Sequence, residues 1–178
     1  MISKREGTLG PARVIARIAA CLLCLSAAPL LAAPGEQGPY DSGLNVKKAL
    51  AEAQARAASG GKLVMVVFGA NWCTDCLVLH RSLENGATRD YALRNFEFVD
   101  VDVGKFDRNL DVARHLGVNL NKGIPAAVFL DGAGHPVAAT NEGELESSRK
   151  YPPEQILKFL RGVVEQRKVE FPDHSGNN

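Results

Sequence analysis

The sequence predicts an α/β fold in which helices flank a central mixed β-sheet. Helical and strand-like patterns alternate along the chain, in the order helix, strand, helix, strand, helix, strand, strand, helix. In addition, the apolar run at residues 64–68 lacks polar alternation, which is typical of a strand buried on both faces in the middle of such a sheet.

The elements around this strand follow from helix signals. Residues 44–58 are rich in alanine, carry apolar residues on one helical face and predict a helix that ends at Gly60. After the strand at 64–68, apolar residues recur at helical spacing beyond Cys76. They predict a second helix that ends near Gly86.

The second half of the domain is predicted by the same criteria, with turn residues separating the elements. It contains a short helical piece at 91–95, a strand at 96–103, a helix at 107–116, a hairpin of strands at 126–130 and 135–140, a polar loop at 141–151, and a final helix that opens at Pro152 or Pro153.

The chain opens with four basic residues and then an apolar stretch at residues 18–33. This pattern predicts a secretory signal peptide over residues 1–33, removed on export to the periplasm or an equivalent oxidising space. An uncleaved membrane anchor and a lipoprotein cleavage site at Cys21 are alternatives. The apolar run is short for a membrane span, and Cys21 falls before most of it.

The rest of the chain divides into an extended lead-in that we expect to act as a tether (34–43), one domain (44–170) and a flexible tail (171–178). Removing residues 1–33 leaves 17 basic and 19 acidic residues. No basic patch interleaved with aromatic residues is present, so we expect no nucleic-acid partner. We also expect a mature domain that is not embedded in a membrane.

Cys73 and Cys76 are the chemically distinctive residues. Cys73 is predicted at a helix N-terminus, where free N–H groups and the helix dipole favour a thiolate, and Cys76 lies one turn further in. The chain has four cysteines, two of them inside the predicted signal peptide. A disulfide that closes so short a loop constrains the unfolded chain little, so the pair is better explained as redox machinery than as a structural crosslink.

Two motifs resemble those of the thioredoxin superfamily: Trp72-Cys73-Thr74-Asp75-Cys76 directly after the buried strand, and Gly123-Ile124-Pro125 before the hairpin. The resemblance covers most of residues 44–165 and is strongest to exported thioredoxin-like proteins of the disulfide isomerase or thiol:disulfide interchange type. It implies a thioredoxin-like fold.

The resemblance also implies roles for single residues. Pro125 is expected to follow a cis peptide bond and to pack against the cysteine pair. The backbone of Ile124 is expected to pair with the substrate chain. Apart from the resemblance, the position of Trp72 beside the cysteines leads us to expect that it shields the site and offers an apolar docking surface; the alternative is a core residue.

The chain departs from thioredoxin at three places. Thioredoxin carries a buried acidic residue where this chain has Val67, so proton transfer from Cys76 must use water or another group. Arg81 replaces a proline of the active-site helix, which predicts a straighter helix. The residues between the cysteines, Thr74 and Asp75, match neither thioredoxin nor the common disulfide-isomerase pattern.

We expect Thr74 and Asp75 to tune the redox pair. A carboxylate at Asp75 opposes a thiolate at Cys73, which makes the reduced form less favourable and the pair more reducing. The alternative is that Asp75 points to solvent and has no electrostatic effect. His80 is expected to be a satisfied or solvent-facing residue, and Asp100 and Asp102 to be solvated or strand-end residues.

The sequence therefore predicts an exported thiol–disulfide oxidoreductase that reduces or isomerises protein disulfides through Cys73 and Cys76. It would need no cofactor beyond this disulfide and no metal. Its partners would be protein thiols and disulfides together with a membrane or periplasmic redox partner. The alternatives are a thioredoxin-like chaperone that holds Cu(I) or zinc through the same cysteines, and a binding module for unfolded chains.

Overall fold

One four-stranded sheet runs through the part of the chain that this computed structural model describes, which is residues 38–170 for the backbone and 38–166 for side chains. The strands are β1 (Leu63–Gly69), β2 (Phe96–Asp102), β3 (Ala126–Leu130) and β4 (Pro136–Ala139). Their order is β2–β1–β3–β4. Strand β1 is parallel to β2 and antiparallel to β3, which pairs antiparallel with β4. The predicted mixed sheet is confirmed.

The central strand is β1, as the unbroken apolar run predicts. It lies between β2 and β3, and all seven of its residues are buried. Its Cα register pairs Val67 with Asp100 of β2 and with Ala127 of β3. A strand covered on both faces needs no polar alternation, which is why the sequence signal is so clear.

Five α-helices and two 3₁₀ turns complete the described part of the chain. They are α1 (Val46–Gly60), α2 (Thr74–Leu83), α3 (Gly86–Asn95), α4 (Leu110–His115) and α5 (Pro153–Glu170), with 3₁₀ turns at Leu120–Lys122 and Ser148–Lys150. None of the helices formed by residues 38–170 has the length and apolar character that crossing a membrane requires.

Helix α3 is longer than predicted and begins where α2 was expected to end. Its sequence is polar and has only two buried residues, Thr88 and Ala92, one turn apart. Thr88 Oγ1 donates a hydrogen bond to the Pro153 carbonyl oxygen over 3.3 Å, at the start of α5. Packing against α5 therefore determines this helix. Only two of its residues are buried, and two buried positions at helical spacing are too few to predict the helix from the sequence.

The two faces of the sheet are covered by different helices. Glu97 of β2 pairs with Arg56 of α1, whereas Asp100, three residues later, approaches His80 of α2. Side chains an odd number of positions apart on a strand point to opposite faces, so α1 covers one face and α2 the other. We call these the α1 face and the α2 face.

The described part of the lead-in is not a free tether. The Tyr40 side chain is buried against the backbone of Gly69 at the end of β1. Asn71 fixes this segment, because its Oδ1 accepts from Tyr40 N–H over 3.1 Å and its Nδ2 donates to the Tyr40 carbonyl over 2.8 Å. The predicted signal peptide and the tail at 171–178 lie outside the described residues.

Candidate redox site

Cys73 stands at the N-terminus of α2, as predicted. Strand β1 ends at Gly69, and a turn closed by a hydrogen bond from Cys73 N–H to the Ala70 carbonyl leads into the helix. Cys73 has extended backbone angles and caps the helix, accepting at Sγ the N–H of Cys76 over 3.1 Å. An N–H donor aimed at this sulfur stabilises negative charge on it when the pair is reduced.

Cys73 and Cys76 are joined by a disulfide. Cys73 is 6% exposed and Cys76 is fully buried. The asymmetry matters chemically, because an incoming sulfur reaches only the Cys73 side of the pair. Cys76 is left for reactions inside the protein.

The second motif lies against the first across 51 residues of sequence. The Ile124 carbonyl oxygen is 3.5 Å from Cys73 Sγ. The Ile124–Pro125 peptide bond is cis, the isomer that the resemblance implies. Gly123 precedes it at φ 109°, a region that side-chain-bearing residues rarely adopt.

Trp72 is a surface residue and not part of the core. It is 57% exposed, and its indole Nε1–H donates to the Gly104 carbonyl over 2.7 Å. Its ring lies 6.3 Å from the ring of Phe106, centroid to centroid. Phe106 was missed by the sequence reasoning, because it belongs to the loop after β2 and its exposure has no local signal.

Comparison with known proteins agrees with this geometry. A thioredoxin-like family model matches residues 45–132. The crystal structure of a disulphide isomerase from Xylella fastidiosa Temecula1 has 36% identity and a TM-score of 0.70, covering 72% of this chain and 98% of that one. The chain belongs to the thioredoxin-like family. With a disulfide-bonded Cys73–Cys76 pair in this fold, it is a thiol–disulfide oxidoreductase.

Other comparisons are weaker. The solution structure of a thioredoxin from Thermus thermophilus has 26% identity and a TM-score of 0.49, covering 71% of this chain and 93% of that one. No curated protein sequence matches the chain.

Asp75 of this thioredoxin-like protein is buried and paired. It is 9% exposed, accepts the Arg149 backbone N–H at Oδ1 over 2.9 Å, and has Arg149 Nε 3.4 Å from Oδ2. The alternative that Asp75 points to solvent is therefore wrong. The Arg149 side chain also compensates the negative charge of Asp75, and the predicted repulsion between Asp75 and a Cys73 thiolate did not include this cation. Thr74, the first residue of α2, is exposed.

The position where thioredoxin has a buried acid holds the buried Val67, but an acid lies on the neighbouring strand. Asp100 is the Cα partner of Val67, and its carboxylate Oδ2 is 3.7 Å from His80 Nδ1. His80 Nε2 is in turn 3.1 Å from Glu84 Oε1. Burial raises the pKa of Asp100 to about 6, with Glu84 adding to the rise and His80 opposing it.

Asp102 is the last residue of β2, which fits the strand-end alternative, and Asp100 keeps 22% of its side chain exposed. Asp102 is 7% exposed, accepts the Gly104 N–H over 3.1 Å and pairs with Arg108 over 3.2 Å. The prediction that the His80 ring has polar partners is confirmed, because Glu84 and Asp100 lie beside its two nitrogens. Among residues 38–166, no three His, Cys, Asp or Glu side chains group as a metal site would require.

Proposed function

We propose that the protein is exported and that it reduces or isomerises disulfide bonds of other proteins through Cys73 and Cys76. The observation that carries this proposal is the placement of Cys73. It is the more exposed sulfur of the pair, caps α2 and lies beside the Ile124 carbonyl. The Xylella fastidiosa relative described as a disulphide isomerase supports the same class of reaction.

The reaction begins from the reduced pair. The Cys73 thiolate attacks one sulfur of a substrate disulfide, so that a mixed disulfide forms and one substrate thiolate leaves. In reduction, Cys76 then attacks Cys73 Sγ, the second substrate sulfur leaves as a thiolate, and two electrons have passed to the substrate. In isomerisation, the freed substrate thiolate attacks another substrate disulfide, forming a new pairing and releasing a different substrate thiolate. A substrate thiolate then attacks the substrate sulfur of the mixed disulfide, and Cys73 leaves as a thiolate, so no net electrons are transferred.

The surrounding residues have distinct roles in this scheme. Trp72 offers an apolar surface beside the reacting sulfur, the Ile124 backbone pairs with the substrate chain, and Pro125 shapes that contact. Thr74 and Asp75 tune the pair. A reductase also needs a donor that returns Cys73–Cys76 to the dithiol, which we assign to a membrane or periplasmic redox partner.

Trapping tests the roles of the two cysteines. Cys76→Ser should accumulate a covalent mixed disulfide with a protein substrate, whereas Cys73→Ser should not, and the double variant serves as the control. Faster alkylation of Cys76 than of Cys73 in the reduced protein would reverse the assignment. Stoichiometric Cu(I) binding by reduced protein that turns over no disulfide would favour the chaperone alternative.

Export is tested separately. The sequence pattern supports a mature chain that begins between about residues 28 and 35 in an oxidising compartment. Mass spectrometry of protein from the native host should find this N-terminus. Recovery of the full-length chain from the cytosol would contradict export and leave the redox chemistry standing.

A further inference from the structure

Two exposed aromatic side chains lie together beside the disulfide. Trp72 is 57% exposed and Phe106 is 41% exposed, and among the described residues only Leu93 is comparable in size and exposure. The rings of Trp72 and Phe106 are 6.3 Å apart at an angle of 58°. The hydrogen bond from Trp72 to the Gly104 carbonyl holds the indole in place. A rigid apolar surface that faces solvent is characteristic of a binding site.

The backbone presents Phe106 at some conformational cost. Its φ of 62° is in the left-handed region, which is unusual for a bulky residue. The loop is fixed around it, because Asp107 Oδ1 accepts the Lys105 N–H over 2.9 Å and Asn109 Nδ2 donates to the Asp102 carbonyl over 2.8 Å. Strained residues that the surroundings hold in place often occur at functional sites.

Phe106 is also one wall of a groove of about 520 Å³. Five of the eight described lining residues are apolar, among them Leu110, Val118 and Leu120. The other three are Asn119, Asn121 and Arg114, the last being the only charged one among them. Leu120 begins the 3₁₀ turn that leads through Gly123 to Ile124, beside Cys73. The groove therefore adjoins the redox site through Phe106 at one wall and through the Leu120 segment at another.

We propose that Phe106 and this groove bind an apolar side chain of the substrate polypeptide close to its reacting cysteine. The protein then prefers disulfides whose cysteine has a large aromatic or aliphatic residue nearby. An extended chain advances about 3.3 Å per residue, so a side chain roughly two to four residues from the cysteine can reach the groove. This inference rests on the proposed function, because it requires substrate sulfur at Cys73.

The occupant is a substrate segment because the groove continues from the place where substrate sulfur must dock. Its apolar lining residues favour an uncharged segment, and Arg114 at the lining disfavours a lysine or arginine side chain in particular.

A peptide series with the mature protein tests the preference. Disulfide-bridged peptides that are identical except for Phe, Ala or Lys three residues from the cysteine are compared by kcat/KM. Even one methylene group in a hydrophobic pocket changes such ratios by about 10- to 200-fold, so we expect the Phe peptide to lead the Ala peptide by about 10-fold and the Lys peptide to be slowest. In Phe106→Asn, the Phe-to-Ala ratio should fall below about 3. Asn tolerates the left-handed backbone, so this variant keeps the loop.

The matched control is Leu93→Asn, which removes another exposed large apolar side chain, on α3, and should retain the wild-type ratio. Equal rates for the three peptides, or a ratio unchanged in Phe106→Asn, would overturn the proposal.

A binding measurement separates this inference from the proposed function. Trp72 is the only tryptophan of the chain, so its fluorescence reports on this surface. A Phe peptide with serine in place of cysteine should change the emission saturably in the wild type and in Leu93→Asn, but at least 10-fold more weakly in Phe106→Asn. Binding without turnover of any disulfide would refute the proposed function and retain the groove. Turnover of disulfides without this binding, or dimerisation that depends on Phe106, would refute the proposal that the groove binds a substrate side chain.

Discussion

On the α1 face of the sheet, Glu97 lies between two cations, Arg56 and Lys62. On the α2 face, the described side chains place no cationic group as close to Asp100 of the same strand, whose neighbour His80 is 3.7 Å away. Arg56 Nε and Lys62 Nζ each donate to a Glu97 oxygen over 2.8 Å, and these bonds lower the pKa of Glu97. Burial raises the pKa of Asp100 to about 6, and the Glu84 carboxylate adds to the rise. One strand therefore carries two carboxyl groups whose pKa values are shifted in opposite directions, down for Glu97 and up for Asp100.

The carboxyl group with the raised pKa lies on the face that is covered by the helix next to the disulfide. The α1 face contains a compensated ion pair that stabilises the fold. The α2 face carries the helix that Cys73 caps and partly buries the Asp100 carboxyl group, whose charged form is disfavoured. Perturbed acids of this kind cluster at functional sites. Asp75 is a third case, because it is buried on the site side yet compensated by Arg149.

The largest effect on stability is expected from Asp100→Asn. A carboxyl group with a raised pKa contributes stability below its ordinary pKa of 3.8 and loses it as pH rises through about 6. A rise of that size corresponds to about 2 to 3 kcal/mol. The variant should therefore unfold at higher urea than the wild type at pH 8, with the gap closing at pH 4. If the difference in unfolding midpoint between the variant and the wild type did not depend on pH, the charge of Asp100 would not be what destabilises the protein.

The titratable residues that face Asp100 need control. They include His80, Glu84 and Tyr40, and Arg89 lines the same cavity as Asp100. Repeating the comparison in a His80→Asn background removes the imidazole 3.7 Å from the Asp100 carboxylate, so that the effect of the carboxyl group is measured alone. All samples are kept oxidised so that the disulfide contributes equally.

Arg149→Ala tests whether compensation of Asp75 matters to the redox pair. It removes the side-chain cation but keeps the backbone N–H that binds Asp75 Oδ1. An uncompensated carboxylate at Asp75, in the first turn of the helix that Cys73 caps, would disfavour the Cys73 thiolate. A cost of roughly 1 kcal/mol would lower the potential by about 20 mV. Equilibration with glutathione measures this. In an Asp75→Asn background, Arg149→Ala should no longer shift the potential. If Arg149→Ala still lowers the potential there, Asp75 is not the cause of the shift.

Glu97→Gln should cost about 1 kcal/mol at pH 7 and leave the redox potential unchanged. The pKa of Glu97 is lowered, so its stabilisation is present above its ordinary pKa of 4.5 and is lost as pH falls through the lower folded value. Urea unfolding at pH 7 and pH 3 should show this loss, opposite in direction to that of Asp100. A change in potential would contradict the separation of the two faces.

The smallest effect is expected from Lys48→Ala on α1. Lys48 and Glu52 form an exposed pair 3.8 Å apart, with side chains 73% and 56% exposed. Such pairs contribute about 0.3 to 0.5 kcal/mol. The variant should match the wild type in thermal unfolding at 0.5 M salt, and a larger loss would mean that α1 depends on its outer surface.

The sequence alone determined the mixed α/β sheet and the position of Cys73 because both depend on neighbours in the chain. The apolar run of β1, the turn at Ala70 and the helical spacing beyond Cys76 lie within one short segment. Periodicity and turn chemistry operate over such distances. Pro125 was associated with the cysteines only through the family resemblance.

Tertiary structure decided the contacts that give the site its character. Arg149 reaches Asp75 across 74 residues, Ile124 approaches Cys73 across 51, and Phe106 joins Trp72 from the loop after β2. His80 and Asp100 meet because α2 packs on one face of β2. A charged or aromatic residue in a loop carries no local sign of its partner, since the partner is chosen by how distant elements pack.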